Sequence, residues 1–311
     1  MPNDVRKHLL NDGAPVERNR IGWDGRIHRE RVVENETQGL IPTLSDISAE
    51  DREVVATYLC HPSVRHVEKL ACDGNFCGYW NIQMVLSYIH DQDARKDNAA
   101  AKDLPNVLQI QNVIERAWNN GICSYGRTET GGVRNTRKWI GTHEALAFFT
   151  EIGVEVEALS FKTETVPSPP TSDSSTSSSA TSNTTNLAVT QLLDHVEAYF
   201  ISGLEDAHQY RTSSTTSLPP IYFQRFGHSM TIVGLERKAD GSRNLLLFDP
   251  SFATSGAMER VLAKKKVSTT VEQLLRPYRR SEVGLSRWDE FEVIVPKTPE
   301  LQDEHCHKPG R

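Results

Sequence analysis

Apolar residues recur at spacings of three and four in several stretches of the chain, which is the pattern of amphipathic helices. The pattern predicts helices over about 48–60, from Cys77 to about 89, over 107–118, over 142–152 and over 187–203. Ser45 or Ser48 is the expected N-cap of the first helix, and Thr142 is the expected N-cap of the fourth.

Apolar runs bounded by turn residues predict strands, most of them in the second half of the chain. These strands are 154–159, 221–235, 245–249 and 291–295. The turn residues Ala239-Asp240-Gly241-Ser242 predict an antiparallel hairpin between the second and third strands. The expected fold class is therefore α/β in the α+β sense, with helices packed on a mainly antiparallel sheet.

Three stretches show neither the helical nor the strand pattern, and they define the expected domain boundaries. Residues 1–44 are rich in charge, Asn, Gly and Pro, which predicts an extended or partly disordered leader. Residues 163–186 are dominated by Ser, Thr and Pro and predict a disordered insertion, because they cannot bury enough apolar surface to become ordered. Residues 297–311 are expected to form a loose tail, which leaves 45–296 as one domain.

Composition limits the binding partners and the cellular compartment that we expect for this protein. The chain has 311 residues, 37% of them hydrophobic, and can bury a full core. A net charge of −6 argues against binding of nucleic acid by this domain, which would need a concentrated basic face. No apolar run approaches a membrane span and no signal peptide is evident. We therefore expect a protein of the cytoplasm or nucleus, with reduced thiols and no membrane partner.

The cysteines give no reason to expect a metal or another cofactor. They form no C-x-x-C pair and show no zinc-finger spacing. The tail contains His305-Cys306-His307, which could chelate a metal ion, but its place in a loose terminus argues against a metal site.

Cys77 is the first candidate for chemistry. Gly74 and Asn75 favour a turn before it, and a predicted helix begins at the cysteine itself. At a helix N-terminus, the unpaired backbone N–H groups and the positive end of the helix dipole stabilise a thiolate. The alternative is a small buried residue at a helix–sheet contact, because free cysteine is among the most buried residue types.

A thiol nucleophile needs a base and a group that orients the base. The predicted hairpin supplies both, since His228 lies on its first strand and Asp249 ends its second. Antiparallel pairing places these positions at the same rim of the sheet. His143, in the first turn of a predicted helix, is the next candidate base. The alternatives are a histidine at a strand edge and an aspartate that begins a turn before Pro250.

Gln224 is a candidate oxyanion donor. Acyl transfer needs hydrogen-bond donors aimed at the oxygen that becomes charged, and a glutamine amide together with the backbone N–H of the nucleophile can supply them. The alternative is an ordinary polar residue on the surface of a strand.

Four motifs in one order carry a family resemblance. They are Cys-Gly-Tyr-x-Asn-x-Gln-Met from Cys77, Arg-Lys-Trp-Ile-Gly from Arg137, Gln-x-x-Gly-His-Ser-x-Thr-x-x-Gly-Leu-Glu from Gln224, and Leu-Leu-Leu-Phe-Asp-Pro from Leu245. Over roughly residues 50–296 the chain resembles the papain-like peptidase family that includes the ubiquitin-fold-modifier proteases and the zinc-finger-containing ubiquitin peptidase. The separation of about 150 residues between cysteine and histidine is typical of papain-like proteases.

The resemblance implies a papain-like fold and favours the ubiquitin-cleaving branch. In the ubiquitin-fold-modifier proteases the catalytic histidine follows the aspartate in an Asp-Pro-His box, whereas this chain has Ser251 at that place. In the ubiquitin-cleaving branch the histidine comes from the Gly-His-Ser strand. The resemblance thus implies Cys77 as nucleophile, His228 as general base and acid, Asp249 as its orienting group and Gln224 as oxyanion donor.

The same resemblance implies ubiquitin or polyubiquitin as the partner and its C-terminal glycine as the site of isopeptide cleavage. Two consecutive glycines suggest a narrow channel, for which Trp139, Phe226 and Trp80 are the expected walls. Trp80 stands where the family usually has Arg, and no zinc finger precedes the domain, so a reduced, catalytic-domain-only member is expected. The rival interpretations are a protease for another ubiquitin-like modifier and an inactive ubiquitin-binding module.

Overall fold

The computed structural model describes residues 1–11, 13–21, 25–69, 75–99, 102–163, 187–204 and 212–297. The helices of these ranges are α1 Asn3–Asn11, α2 Leu40–Glu50, α3 Cys77–Lys96, α4 Val107–Asn119, α5 Tyr125–Thr130, α6 Thr142–Glu151, α7 Leu187–Ser202, α8 Gly256–Leu262, α9 Val271–Leu275 and α10 Glu282–Leu285. The strands are β1 Pro15–Ile21, β2 Ile27–Val33, β3 Glu36–Thr37, β4 Val54–Leu59, β5 His66–Val67, β6 Val156–Lys162, β7 Ser213–Thr215, β8 Ile221–Arg225, β9 His228–Lys238, β10 Arg243–Phe248, β11 Arg279–Ser281 and β12 Glu290–Pro296.

One central sheet organises the molecule, in the order β11-β10-β9-β8-β12-β6. The long strand β9 pairs along its first half with β8 and along its second half with β4, which in turn pairs with β7. Within the described residues, every pairing in this sheet is antiparallel except that of β4 with β7. The mainly antiparallel sheet with helices packed on it confirms the predicted fold class.

Helix α3 lies at the centre of the core. It contacts β9, β8 and β5 on one side and α4 and α6 on the other. Every residue from Gly78 to Tyr88 is buried. The first three turns of the helix are therefore internal, and their sequence is apolar beyond one stripe, as expected for a buried helix. Its first residue, Cys77, lies where the helix meets β8 and β9.

Several predicted elements are confirmed within a few residues. Helices α3, α4, α6 and α7 and strands β6, β10 and β12 lie where the apolar pattern placed them. The N-cap of α6 is Gly141 rather than the predicted Thr142, because Glu144 turns back to accept a hydrogen bond from the Gly141 N–H at 2.8 Å.

The helix predicted over 48–60 is wrong. Helix α2 ends at Glu50, and residues 54–59 form strand β4 between β9 and β7. The four apolar residues taken as a helical stripe are those of the strand. A run rich in β-branched and aromatic residues favours a strand once neighbouring strands are available, and those neighbours lie more than 150 residues away in sequence.

The single strand predicted over 221–235 is two strands. Strands β8 and β9 pair with each other from Ile221↔Ile232 to Arg225↔His228. Phe226 and Gly227 form the turn, and Gly227 adopts φ 75°, a left-handed conformation that favours glycine. His228 is therefore the first residue of a strand rather than an internal one.

The predicted leader also differs from the structure. Residues 3–37 contain α1, the β1–β2 hairpin and β3, and α2 begins at Leu40. Most of the hairpin residues are exposed, so their sequence carries no apolar alternation that would reveal them. Apart from Thr163 and Lys297, the predicted insertion and tail lie outside the described residues, as does His305-Cys306-His307. Among the described helices, none is long and apolar enough to cross a membrane.

Candidate active site

Cys77 is the first residue of α3 and is partly exposed. At this position the positive end of the helix dipole favours the thiolate form of the side chain. Asn81, one turn later, donates to the Cys77 carbonyl oxygen at 2.7 Å and accepts from the Thr231 hydroxyl on β9 at 2.7 Å. The first turn of α3 is thereby tied to the strand that carries His228.

His228 and Asp249 meet at one rim of the sheet, as the predicted hairpin required. His228 begins β9, and Asp249 follows the end of β10, where Phe248 pairs with Thr231. The Nε2 of His228 lies 2.8 Å from Oδ1 of Asp249. This contact leaves the Nδ1 of the ring for an interaction with Cys77, whose pKa His228 lowers.

Burial and charge move the pKa values of this group in opposite directions. Burial alone would lower the pKa of His228, but the hydrogen bonds and negative charges of Asp249 and Cys77 raise it to about 9. Burial alone would raise the pKa of Cys77, but a hydrogen bond from His228, the backbone N–H of Ser229 and the charge of His228 lower it below its ordinary value. Both shifts therefore favour a thiolate–imidazolium pair over the neutral thiol and imidazole.

The other cysteines in the described ranges have the opposite electrostatics. Burial raises the pKa of Cys60 well above its ordinary value. Burial and the nearby Glu144 carboxylate raise the pKa of Cys123. Thus Cys77 alone among these described thiols is activated.

Asp249 is fixed by several donors. Ser251 donates to its Oδ1 from the backbone N–H at 2.9 Å and from the hydroxyl at 2.6 Å. Arg280 approaches its Oδ2 at 3.3 Å, and the ring of His66 bonds to its backbone oxygen at 3.1 Å. Burial alone would raise the pKa of Asp249, but His228 and Ser251 hold it well below its ordinary value. The carboxylate therefore stays ionised and oriented toward the imidazole.

Gln224 lies beside Cys77, at the end of β8. Its Oε1 accepts from the Ser229 hydroxyl at 2.8 Å. Gly141 lies opposite its Nε2, where a Cβ atom would come within 3.2 Å. The NH₂ group of Gln224 therefore faces Gly141 in the cleft that Cys77 also lines.

Cys77, Gln224 and His228 line a cleft of about 560 Å³, which lies between residues 139–141 and residues 224–229 of the β8–β9 hairpin. Trp139 and Phe226 are 59% and 90% exposed on its two sides. Glu290 and Glu292, from β12, complete the lining. The structure thus brings together Cys77 and five other residues singled out from the sequence, namely His228, Asp249, Gln224, Trp139 and Phe226.

Two other candidates lie elsewhere. Trp80 was expected at the channel, but it is 1% exposed and packs edge-on against Phe76 in the core. Trp80 lies about one turn after the cysteine, but Phe76 and the surrounding core cover it, so it does not line the cleft. His143 is exposed, lies edge-on to Tyr125 and does not line the cleft.

The sequence reasoning missed the supporting residues Asn81, Ser229 and Ser251. Asn81 and Ser229 belong to the quoted motifs, but what they contact depends on how α3 sits on β9. Only Ser251 had a local signal, since an aspartate that caps the N–H and hydroxyl of a serine two residues on is a common turn.

A cysteine at the start of a buried helix, packed on an antiparallel sheet that carries a histidine–aspartate pair, is the arrangement of a papain-like fold. Peptidase family C78 matches residues 53–294, and the chain belongs to this family.

Curated proteins similar to this chain share just over a quarter of the aligned residues with it. "Zinc finger-containing ubiquitin peptidase 1" of Mus musculus is 28% identical over 220 residues, covering 70% of this chain and 33% of the mouse protein. "Ubiquitin carboxyl-terminal hydrolase mug105" of Schizosaccharomyces pombe is 26% identical, covering 70% of this chain and 73% of the yeast protein. The chain thus spans about a third of the length of the mammalian relative. The crystal structure of UfSP from C. elegans matches with TM-score 0.45 and 12% identity, covering 80% of this chain and 36% of that chain.

Proposed function

We propose that this chain is a deubiquitinase that hydrolyses the isopeptide bond at the C-terminal glycine of ubiquitin, including bonds within polyubiquitin chains. The observation that carries the proposal is the Cys77–His228–Asp249 group at the base of an open cleft, with raised and lowered pKa values that favour an ion pair. The printed names of the mouse and yeast relatives support ubiquitin as the substrate.

The proposed reaction begins with attack by the Cys77 thiolate on the carbonyl carbon of the C-terminal glycine. The carbonyl oxygen gains negative charge and is stabilised by Nε2 of Gln224 and the backbone N–H of Cys77. As the C–N bond breaks, His228 gives its proton to the departing lysine amine and a thioester remains. His228 then takes a proton from water, whose hydroxide attacks the thioester and releases ubiquitin and the thiolate.

Asp249 acts through His228 in this proposal. Its carboxylate holds the ring by Nε2 and favours the imidazolium, so Nδ1 can exchange a proton with the sulfur and the leaving amine. Ser251 and Arg280 keep the carboxylate in place.

The cleft fits a glycine-ended tail. Trp139 on one side and Phe226 on the other expose aromatic surface above the thiol. Glycines have no side chain to fill the space between such walls, so a diglycine tail can lie flat between them. Trp80 has no part in this channel, because it is buried.

The place of the histidine favours ubiquitin over the ubiquitin-fold modifier. The position after Asp249-Pro250, where the modifier proteases carry their histidine, holds Ser251, which donates to Asp249. The imidazole comes instead from the start of β9. This matches the ubiquitin-cleaving branch.

Two activity probes test the proposal. Ubiquitin and the ubiquitin-fold modifier are each prepared with an electrophile at the C-terminal glycine and incubated separately with the protein. We expect a covalent adduct with the ubiquitin probe and none in Cys77→Ala, which should still bind ubiquitin because the substitution removes little contact surface. Intact-mass measurement followed by peptide mapping locates the adduct.

The other outcomes each refute the proposal in a defined way. An adduct with the ubiquitin-fold modifier alone would make the chain a protease for that modifier. Ubiquitin binding without an adduct to either probe would make it an inactive binding module.

A further inference from the structure

Two buried hydroxyl groups lie behind the Gln224 amide. The Ser229 hydroxyl donates to Gln224 Oε1 at 2.8 Å. The Tyr222 hydroxyl donates to Ser229 Oγ at 3.1 Å and lies 3.4 Å from the same Oε1. Tyr222 and Ser229 are almost fully buried, at 0% and 1% exposure, whereas Gln224 reaches the cleft.

Strand register brings these three side chains together. Gln224 pairs with Ser229 across the β8–β9 ladder, so both point to the same face of the sheet. Tyr222 precedes Gln224 by two residues and shares that face. The three polar groups therefore form a row behind the position of the thiol.

The orientation of a glutamine amide matters at an oxyanion site. The two ends of the amide have nearly the same shape, but only the NH₂ end can donate to a developing oxyanion. With the oxygen facing the substrate, the amide would repel the charge that it is meant to stabilise. A useful Gln224 must therefore be held with its oxygen away from the cleft.

The hydroxyl groups of Tyr222 and Ser229 favour the orientation in which the Gln224 oxygen points away from the cleft. Burial raises the pKa of Tyr222 far above its ordinary value, so the phenol keeps its proton and acts as a donor. Because Tyr222 donates to Ser229 Oγ, the Ser229 hydrogen is directed to Gln224 Oε1. Nε2 is then left facing Gly141 and the cleft.

We propose that Tyr222 and Ser229 are positioning residues that hold the Gln224 amide with its NH₂ group toward the reacting carbonyl. The inference rests on the acyl-transfer chemistry of the proposed function, but it does not depend on which modifier is the substrate. Tyr222 acts through Ser229 and Gln224 and touches no substrate.

The test compares two reactions of Cys77 that differ in the oxyanion. A small activated ester acylates the thiol through a tetrahedral oxyanion, whereas iodoacetamide alkylates it without one. Both rates are measured at the Cys77 peptide by mass spectrometry, with Cys77→Ala to subtract reaction at other thiols. Wild type, Tyr222→Phe, Gln224→Ala and the double variant form a cycle.

We expect Gln224→Ala to slow acylation by about 10²-fold or more, as for other lost oxyanion donors. Tyr222→Phe should slow acylation by about tenfold, because the NH₂ group then faces the carbonyl for only part of the time. In the Gln224→Ala background the same substitution should change acylation by less than about twofold. Alkylation should stay within about twofold of wild type throughout.

Matched controls separate positioning from packing. Tyr199→Phe removes another buried tyrosine hydroxyl, which donates to the Pro219 oxygen outside the cleft, and should leave both rates unchanged. Should Tyr222→Phe fail to fold, Ser229→Ala takes its place in the cycle. Ser229 also interacts with Cys77, so its substitution can change both rates. The effect of Ser229→Ala is therefore expressed as the ratio of the acylation rate to the alkylation rate.

Three results would overturn the inference: an equal loss of acylation with and without Gln224, a parallel loss of acylation and alkylation, or no loss in any variant. Failure of the wild type to turn over ubiquitin, with the acylation cycle as expected, would refute only the proposed function.

Discussion

At the scale of single residues, the charges of Cys77, His228 and Asp249 stabilise one another. The imidazolium of His228 and the hydrogen bonds around the thiol keep the pKa of Cys77 below its ordinary value. The Asp249 and Cys77 charges raise the pKa of His228 to about 9, against the burial that opposes it. The ion pair therefore exists between the pKa of the thiol and the imidazole pKa of about 9, and the two shifts widen that window.

Asp249→Asn should narrow this window from its alkaline side. The variant keeps the size of the side chain but removes the charge that favours imidazolium, so the pKa of His228 should fall from about 9 toward the ordinary value near ~6.5. Reactivity that needs the protonated ring is lost as the pH rises through the pKa of His228. The alkaline limb of kcat/KM should accordingly move to lower pH, and activity should fall more at pH 8 than at pH 6. A full pH–rate profile measures this shift.

Asp240→Asn is the matched control. Asp240 also accepts from the N–H and hydroxyl of a serine two residues later, but it lies at the opposite end of the β9–β10 hairpin and is exposed. Its substitution should leave the profile in place. An alkaline limb that stays near pH 9 in Asp249→Asn would show that the carboxylate does not set the pKa of His228.

The sequence revealed the residues expected to react but not those that support them. Cys77, His228, Asp249 and Gln224 could be selected because turn chemistry and hairpin pairing are local features, and because the order of the motifs carries a family resemblance. Ser229 could not, since its role depends on a cross-strand partner. Trp80 was misplaced because the side from which the sheet covers α3 is set by contacts distant in sequence.

At the scale of elements, the start of α3 packs closely against residues 139–141, which form one wall of the cleft. A Cβ atom at Gly78 would lie 2.6 Å from Ile140 Cγ1 and 2.8 Å from the Ile140 carbonyl oxygen. Both distances are shorter than van der Waals contact, and the second atom belongs to the backbone. Glycine after the thiol thus lets the helix approach the wall closely.

Gly78→Ala should displace the wall or the helix. We expect a loss of roughly 1–3 kcal/mol in the free energy of unfolding, as for other overpacked sites, together with a fall in kcat. Gly256→Ala is the control, because Gly256 begins α8 with nothing within 4 Å of an added Cβ. That variant should be neutral or slightly more stable. Denaturant unfolding measures both, and equal stability of the two variants would contradict the close approach.

The elements themselves were predictable where the apolar pattern belongs to one helix or one strand. Helices α4 and α7 and strand β12 are of this kind. Strand β4 was taken for a helix because its apolar residues also fit a helical stripe, and its strand character depends on β9 and β7. The β1–β2 hairpin was missed because its residues are mostly exposed.

At the scale of the whole molecule, the fold gathers residues from distant parts of the chain at one rim of one sheet. Helix α3 supplies the thiol, the β8–β9 hairpin supplies Gln224 and His228, and Asp249 follows the end of β10. Family C78 spans nearly all of this architecture, from residue 53 to 294. The N-terminal elements α1, β1 and β2 lie outside that match, so the proposed chemistry belongs to the part that the family shares.

The measurement that tests the central claim most directly is kcat/KM for cleavage of isopeptide-linked ubiquitin by wild type, Cys77→Ala, His228→Ala and His143→Ala. The proposed mechanism predicts cleavage by the wild type, none by Cys77→Ala, and a loss of about 10²-fold or more in His228→Ala. His143→Ala, which removes an exposed histidine outside the cleft, should stay within about twofold of wild type. Retained cleavage in His228→Ala with its loss in His143→Ala would contradict the proposed triad, and a wild type that leaves the bond intact would contradict the proposed function.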